Sequence, residues 1–196
     1  GRTEWSFRGR TCDISKIHDR TTLYQAFVQF AGIALHETMA ADGTVDRDGL
    51  AQRAQAAGIR IADGDSWSDI FAKVLTEKIE PYLGLYRLEM LSQYPIHEAA
   101  LARPDPDERF ELYCCGVELA NGFGELTDPV AQRANLERQM AERQRIYGEQ
   151  YPIDEAFLAA LAHMPEASGC ALGFDRLVML AAGATHIDQV LWTPPD

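Results

Sequence analysis

The stretch ERFELYCCGVELANGFGELTDP, residues 108–129, contains two apolar, strand-like runs that meet at Gly116. This pattern predicts a β-hairpin with its turn at that glycine. Three carboxylates, Glu111, Glu118 and Glu125, recur inside the hairpin at intervals of seven residues. A carboxylate in a sheet has to be solvated, paired or bound to a ligand, because burying a bare charge is too costly. The hairpin is therefore the first candidate for a functional site.

The first two glutamates suit a metal ion held against a phosphate. With the turn at Gly116, Glu111 and Glu118 lie on adjacent strands and can approach each other. Two close carboxylates repel unless a proton or a cation lies between them. Mg²⁺ takes hard oxygen ligands, commonly one or two carboxylates together with phosphate and water. Spacing alone leaves a second interpretation open, a solvated sheet face whose glutamates are directed at water.

The second strand of the hairpin carries further candidate residues. Strict alternation places Asn121, Phe123 and Glu125 on one face and Glu118 on the other. For Glu118 to join them the strand needs a bulge around residues 120–122, where a glycine makes a bulge plausible. One pocket would then contain a metal pair, an amide, an aromatic wall and a deep carboxylate suited to a ligand ammonium group.

A second candidate region is SGCALGFDRLVML, residues 168–180. Gly169 and Gly173 flank a short apolar stretch and allow the backbone to approach a ligand closely. Arg176 follows in the first turn of a predicted apolar helix, where a guanidinium can bind phosphate oxygens in a fork. An internal salt bridge is the alternative role for this arginine, and the residues alone do not choose between the two.

The chain has 196 residues, of which 46% are apolar and 24% charged, the balance of a soluble globular protein. Helical patterns dominate the first part and strand patterns follow, which predicts an α+β fold with an antiparallel sheet flanked by helices. No apolar run is long enough to span a bilayer and no signal-peptide core is present, so a cytoplasmic protein without membrane contact is expected. The formal charge of −12 argues against broad nucleic-acid binding.

The remaining polar residues give weaker signals. The four cysteines lack metal-binding or redox spacing and are predicted to be reduced, structural thiols. The five histidines are scattered, without metal or triad spacing. FRGR, residues 7–10, could be mistaken for a phosphate-binding stretch, but it is short and is interpreted as a solvated segment.

FELYCCGVELANGFGELTDP and SGCALGFDRLVML together resemble the last part of the catalytic domain of class II, lysyl-type aminoacyl-tRNA synthetases. The second segment is similar to motif 3 of that class, and the resemblance extends over about residues 67–194. Within the family, YPIDEAFLAALAHMPEASGCALGFDRLVMLAAGA, residues 151–184, looks very like the C-terminal segment of the elongation factor P–lysine ligases. These paralogues lack the anticodon-binding domain and have alanine at the position of Ala171, where the synthetases have glycine.

The resemblance implies an ATP-dependent ligase that activates lysine or (R)-β-lysine. Glu111 and Glu118 would bind Mg²⁺ and ATP, and Arg176 would bind the phosphates as the catalytic arginine. The aminoacyl-adenylate would then be attacked by the side-chain amine of a lysine on elongation factor P. The complete family forms homodimers, and tRNA is not expected as a partner.

The same resemblance assigns roles in substrate binding. Asn121 would hold the carboxylate end of the amino acid, Phe123 would line the pocket, and Glu125 would pair with the side-chain ammonium group. The floor of the pocket would be shaped by Gly169, Ala171 and Gly173. A methyl group at the central position would reshape the pocket in favour of (R)-β-lysine.

Two elements of the family pattern are absent from the sequence. Motif 1, a dimer-interface element, has no counterpart, and FRGR lacks the glutamate of the FRxE pattern of motif 2. Residues 1–84 are therefore interpreted as a helical region that follows motif 2, and residues 85–196 as the C-terminal part of the catalytic domain. Such a chain is expected to be inactive alone and to self-associate through a severed sheet edge. A lysyl-tRNA synthetase fragment and a truncated, non-catalytic interaction module are the alternatives.

Overall fold

The computed structural model describes residues 2–40, 44–98 and 102–193 of the chain. These residues form a mixed α+β architecture in which helices flank a mostly antiparallel sheet, as the sequence predicts. The described strands are β1 (Glu4–Phe7), β2 (Arg10–Asp13), β3 (Asp19–Thr22), β4 (Glu89–Ser92), β5 (Arg109–Cys114), β6 (Val117–Gly124) and β7 (Ser168–Leu172). The α-helices are α1 (Leu23–Ala26), α2 (Arg47–Ala56), α3 (Trp67–Val74), α4 (Pro129–Tyr147), α5 (Glu155–Leu161) and α6 (Phe174–Ala182).

The main sheet has five strands in the order β3-β4-β5-β6-β7, and β1 pairs with β2 in a separate hairpin. Antiparallel pairing holds throughout except between β3 and β4, which are parallel. The chain between these two strands contains α1, α2 and α3, and such a long crossover is what a parallel pair requires. The antiparallel sheet that the sequence predicts is thus confirmed, with one parallel pair at β3 and β4.

Helix boundaries follow local capping chemistry. The apolar stripe along residues 21–31 predicts a helix. In the structure this helix begins only at Leu23, because Thr22 still belongs to β3 and its hydroxyl caps the helix. A π-helical turn, Phe27–Ala31, then continues α1. The spacing of Ser66 and Asp69 in the sequence predicts a capping box, which the structure confirms at the start of α3. No helix in the described ranges has the length and apolar character needed to cross a bilayer.

The larger hydrophobic core fills the space between the first three helices and one side of the sheet. Trp67, Phe71 and Phe27 stack in sequence, with ring centroids 5.4 Å and 5.1 Å apart. Leu91 of β4 and Tyr113 of β5 are fully buried in the same cluster. Because these two strands supply both core residues and candidate site residues, the helices hold the hairpin in place.

A smaller cluster corrects the interpretation of residues 7–10. Phe7 is buried and Arg10 is half-buried, so FRGR is solvated only at Arg8 and Gly9 and not along its whole length. It forms a tight turn between β1 and β2, with positive φ angles at Arg8 and Gly9. Phe7 and Cys12 are buried in this cluster, and their burial provides apolar contact for the two strands. The order of apolar and polar residues in so short a stretch did not predict this burial.

Three of the four cysteines pack inside this smaller cluster, in agreement with the predicted structural role. The cluster contains Phe7, Cys12, Cys114, Cys115, Leu119, Met179 and Leu180. All four thiols are free, and Cys170 on β7 is exposed. Helix α6 contributes two of the buried side chains, which ties the C-terminal helix to the back of the central hairpin.

The central hairpin has its turn at Cys115-Gly116, as predicted, with both residues at positive φ. The predicted bulge is present but lies earlier than residues 120–122. Leu112 faces Ala120 while Tyr113 faces Glu118, which leaves Leu119 as the extra residue on β6. Gly122 has another purpose: a Cβ there would lie 2.3 Å from the ring of Phe110, its partner across the ladder.

Strand β7 forms one edge of the main sheet, and all five of its residues are exposed. Helix α6 follows directly and begins at Phe174, also exposed. The sequence that follows Tyr94-Pro95 predicts a short helix over residues 97–101, which falls partly outside the described residues. Its described portion belongs to a single 3₁₀ turn, Ile96–Glu98.

Candidate active site

The register of the central hairpin gathers the candidate residues on one face of the sheet. Glu111 faces Asn121 across the ladder, and Tyr113 faces Glu118. Residues that face each other in an antiparallel pair share one side of the sheet, with Cβ atoms roughly 5 Å apart. The extra residue before Ala120 therefore does what the sequence required of a bulge. It brings Glu118 to the side that carries Asn121.

Strand β7 extends this face. Ala171 pairs with Asn121, and Gly169 pairs with Phe123. A Cβ at Gly169 would lie 2.7 Å from Oε1 of Glu125, closer than side-chain carbons approach a neighbouring atom. The glycine thus leaves room for the carboxylate of Glu125, which lies against β7 at the end of the face.

Glu111 is buried and fully engaged. Its side chain is 7% exposed, and Oε1 accepts a hydrogen bond of 2.9 Å from Nη2 of Arg109. The Tyr113 hydroxyl donates to Oε2 at 2.7 Å. The Arg109 guanidinium also lies 4.1 Å from the ring centroid of Tyr94, a cation–π contact. Glu111 is therefore held in one orientation by an arginine and a tyrosine.

Glu118 is more open. Its side chain is 32% exposed, and Oε2 lies 3.1 Å from Nη1 of Arg176, whose own side chain is 46% exposed. The same Nη1 atom donates a 2.9 Å hydrogen bond to the main-chain oxygen of Glu118. Arg176 therefore forms an internal salt bridge, one of the two roles that the sequence left open. Its partner, Glu118, is a residue that the resemblance assigns to ATP binding. Exposed pairs of this kind are worth at most about 1 kcal/mol, so a phosphate could replace Glu118 as its partner.

Glu80 brings a third carboxylate to the region from the 3₁₀ turn that follows α3. Burial raises the pKa of Glu80, and the charges of Glu111 and Glu118 raise it further. The Tyr113 hydroxyl lies 3.5 Å from Oε1 of Glu80 and favours the ionised form. The region is therefore rich in negative charge, and a cation would relieve it.

The donor set fits Mg²⁺ held jointly with phosphate. Glu111 and Glu118 offer the hard oxygen ligands that this ion prefers, and one or two carboxylates suffice when phosphates complete the shell. In the described parts of the chain no group of three or more His, Cys, Asp or Glu side chains is placed to hold a metal on its own. Arginines pair with both glutamates in this structure, so an arriving cation has to exchange with them.

Asn121 presents an unsatisfied polar atom. Its Oδ1 is buried without a hydrogen-bond partner, while the residue as a whole is partly exposed. A buried acceptor without a partner is costly, so a ligand that donates a hydrogen bond here would stabilise the site. An amine is such a donor. A carboxylate is not.

Three residues near this face were not predicted from the sequence. Arg109 stands two positions before Glu111 on the same strand, so strand alternation could have identified it as a partner. Tyr113, two positions after Glu111, carries the same signal. Glu80 comes from a distant turn, and no periodic pattern links it to the hairpin.

Comparison with known proteins identifies the family of this chain. The family model for class II tRNA synthetases (D, K and N) matches residues 86–196, which include the central hairpin, β7 and α6. The match covers more than half of the chain. The chain belongs to the class II tRNA synthetase family.

Similar proteins within this family fall into two groups. The lysine–tRNA ligase of Gloeobacter violaceus is 36% identical over 99% of this chain and 39% of its own length. The elongation factor P–(R)-beta-lysine ligase of Proteus mirabilis is 44% identical over 68% of this chain and 43% of its own length. The ligase of the same name from Edwardsiella ictaluri is 38% identical over 85% of this chain and 52% of its own length. The chain thus spans about two fifths to one half of the relatives it matches.

Proposed function

We propose that this chain belongs to a ligase that activates lysine or (R)-β-lysine with ATP and transfers it to a lysine side chain of elongation factor P. The observation that carries the proposal is the gathering of Glu111, Glu118, Asn121 and Glu125 on one sheet face beside Arg176. Such a face can hold a polyphosphate at one end and an amine at the other. Relatives named as elongation factor P–(R)-beta-lysine ligases support the choice of substrates.

The first step would join the amino acid to the nucleotide. A carboxylate oxygen of lysine attacks the α-phosphorus of ATP, and pyrophosphate leaves. Arg176 would exchange Glu118 for phosphate oxygens, because its guanidinium binds them in a fork. Mg²⁺, held by Glu111 and Glu118, would neutralise charge on the phosphates. The protein contributes mainly positioning and charge stabilisation.

The amino acid would lie along the face between β6 and β7. Glu125 would accept the side-chain ammonium group, in the space that Gly169 leaves. Asn121 would take the amino group at the carboxylate end through its unpaired Oδ1. Phe123 would line the pocket; Gly173, whose N–H is bonded to the main-chain oxygen of Leu119, would close its floor.

Ala171 favours the elongation factor P ligases over the synthetases. It pairs with Asn121, so its methyl group lies on the candidate face. The resemblance places alanine here in the ligases and glycine in the synthetases. In the second step, the amine of a lysine on elongation factor P would attack the adenylate carbonyl, with release of AMP. The family match from residue 86 supports the division into residues 1–84 and 85–196, and a cytoplasmic location forms part of the proposal.

A lysyl-tRNA synthetase is the second candidate function. The lysine–tRNA ligase of Gloeobacter violaceus aligns with 99% of this chain, more than the 68% and 85% covered by the two ligases. This observation concerns the helical region as well as the site.

Amino-acid-dependent ATP–pyrophosphate exchange on this chain tests the proposal, with L-lysine and (R)-β-lysine compared. Exchange that prefers (R)-β-lysine, followed by labelling of elongation factor P, is the expected result for the ligase. Exchange that prefers L-lysine and labels tRNA would establish the synthetase. If neither substrate supports exchange in this chain or in a longer protein that contains it, the activity is absent and an interaction module remains.

A further inference from the structure

Arg10 differs from every other half-buried arginine that the structure describes. It forms no ion pair or side-chain hydrogen bond with any described residue, whereas the others each have a carboxylate partner. Its guanidinium lies beside the hairpin turn, with Nη1 3.0 Å from the place that a Cβ on Gly116 would occupy. Withdrawing a guanidinium from water without a partner is unfavourable. An anionic ligand would supply the missing partner.

The space in front of Arg10 is a cavity of about 350 Å³. Arg8 and Arg176 line it as well, together with Glu80 and Glu118. Three guanidinium groups thus meet two carboxylates, one of which already pairs with Arg176. In a chain with a net charge of −12, the charged side chains that line this cavity are three arginines and only two glutamates.

Arg8 is held at the mouth of this cavity by the turn between β1 and β2. Its φ of +49° lies in the left-handed region, which non-glycine residues seldom occupy. The guanidinium lies 5.0 Å from the centroid of the Phe7 ring, which is itself buried. The turn therefore presents two arginines to the same space as Arg176.

We propose that Arg10, with Arg8 beside it, binds the phosphate groups of a polyphosphate chain that also contacts Arg176. The guanidinium N–H groups would donate to phosphate oxygens, a pairing that favours bidentate geometry. Where the ligand is ATP, the inference rests on the proposed function and makes Arg10 a phosphate-positioning residue. A free polyphosphate offers the same chemistry and would bind through the same contacts.

Titration calorimetry of this chain with sodium pyrophosphate tests the inference without any amino acid or turnover. Arg10→Gln is expected to weaken binding about tenfold, the loss typical of one charge-assisted hydrogen bond. Arg60→Gln is the matched control, because Arg60 is also unpaired but is exposed and lies outside the cavity. Arg10→Lys should recover part of the affinity, since it keeps the charge and loses the fork.

Two results with the variants would overturn the inference. One is equal affinity of wild type and Arg10→Gln for pyrophosphate, and the other is an equal loss of affinity in Arg60→Gln. Absence of pyrophosphate binding by the wild-type chain would overturn it too. Thermal unfolding has to show that Arg10→Gln folds; Arg8→Gln, at an exposed site, gives a second reading if it does not.

Titration with ATP separates the two possible sources of the polyphosphate. A loss with both ATP and pyrophosphate supports nucleotide phosphates as the ligand, and a loss with pyrophosphate alone supports a free anion. These results do not depend on lysine activation. If the chain binds pyrophosphate through Arg10 but neither it nor a longer protein that contains it shows ATP–pyrophosphate exchange, the proposed function is contradicted and the anion site stands.

Discussion

The proposed phosphate-binding part of the candidate face has an inner end at Glu111 and an outer end at Glu118, and the two ends are built differently. At the inner end Glu111 is buried, and Arg109 and Tyr113 occupy both of its oxygens. At the outer end Glu118 and Arg176 are partly exposed and share a single ion pair. The inner end is preorganised by contacts that are costly to break, while the outer end is held by contacts that a ligand can exchange. A site that binds a polyphosphate needs both.

The largest effect is expected from Glu111→Gln, which would break the inner end. The substitution leaves the Arg109 guanidinium, 15% exposed, without its anionic partner. Loss of one member of a buried pair typically costs about 3 kcal/mol or more of unfolding free energy. Urea denaturation measures this value. Glu118→Gln is the matched control and should cost less than about 1 kcal/mol; equal losses would contradict the contrast between the two ends.

Glu125→Gln in the full-length protein should reveal a function of the face rather than its stability. Removing the charge that pairs with the ligand ammonium should raise the lysine concentration needed for ATP–pyrophosphate exchange about 30-fold. The ATP requirement should change little, because the Glu125 side chain lies against Gly169, at the end of the face away from Arg176. Equal weakening for lysine and ATP would remove the amine-binding role from Glu125.

Ala171→Gly addresses the choice of amino acid at the centre of the face. Removing the methyl group should shift the preference from (R)-β-lysine towards L-lysine by about fourfold, the value of one methylene-sized contact. The ratio of exchange rates with the two substrates measures the shift. An unchanged ratio would undo the argument from this residue.

The smallest effect concerns Glu80 and depends on pH. Because its pKa is raised in the folded protein, the ionised form opposes folding. The stability associated with protonated Glu80 is fully present below the unfolded pKa, 4.5, and is lost as pH rises through the raised value. Glu80→Gln should therefore match wild type near pH 4 and exceed it by about 0.5 kcal/mol at pH 8, since solvent screens a half-exposed group. Urea titrations at the two pH values measure the difference, and a variant less stable than wild type at pH 8 would contradict it.

The central hairpin was predictable because its information is local. Glycine at the turn, alternation along the strands and the need for a bulge can be read from residues 108–129, and the structure confirms all three apart from the exact position of the bulge. The extra residue is Leu119, and Gly122 instead leaves room for the ring of Phe110 opposite it. The pattern of residue types along the two strands does not predict this contact.

Other features depended on contacts between distant segments. Phe7 packs against α6 and the hairpin turn, a contact that the sequence of residues 7–10 does not predict. Glu80 reaches the site through the packing of α3, and no spacing rule connects it with Glu111. Propensity and periodicity do not predict the role of a polar residue when that role depends on tertiary packing.

The parallel pair of β3 and β4 has a consequence for the order of folding. Asp19 pairs with Glu89, so three helices have to form and pack within the loop that this pairing closes. Closing a long loop costs entropy before its contacts are gained, and such non-local pairing slows folding. The hairpin of β5 and β6 closes over a two-residue turn and is expected to form early. Arg10 is expected to join the completed face only late, when the N-terminal segment docks.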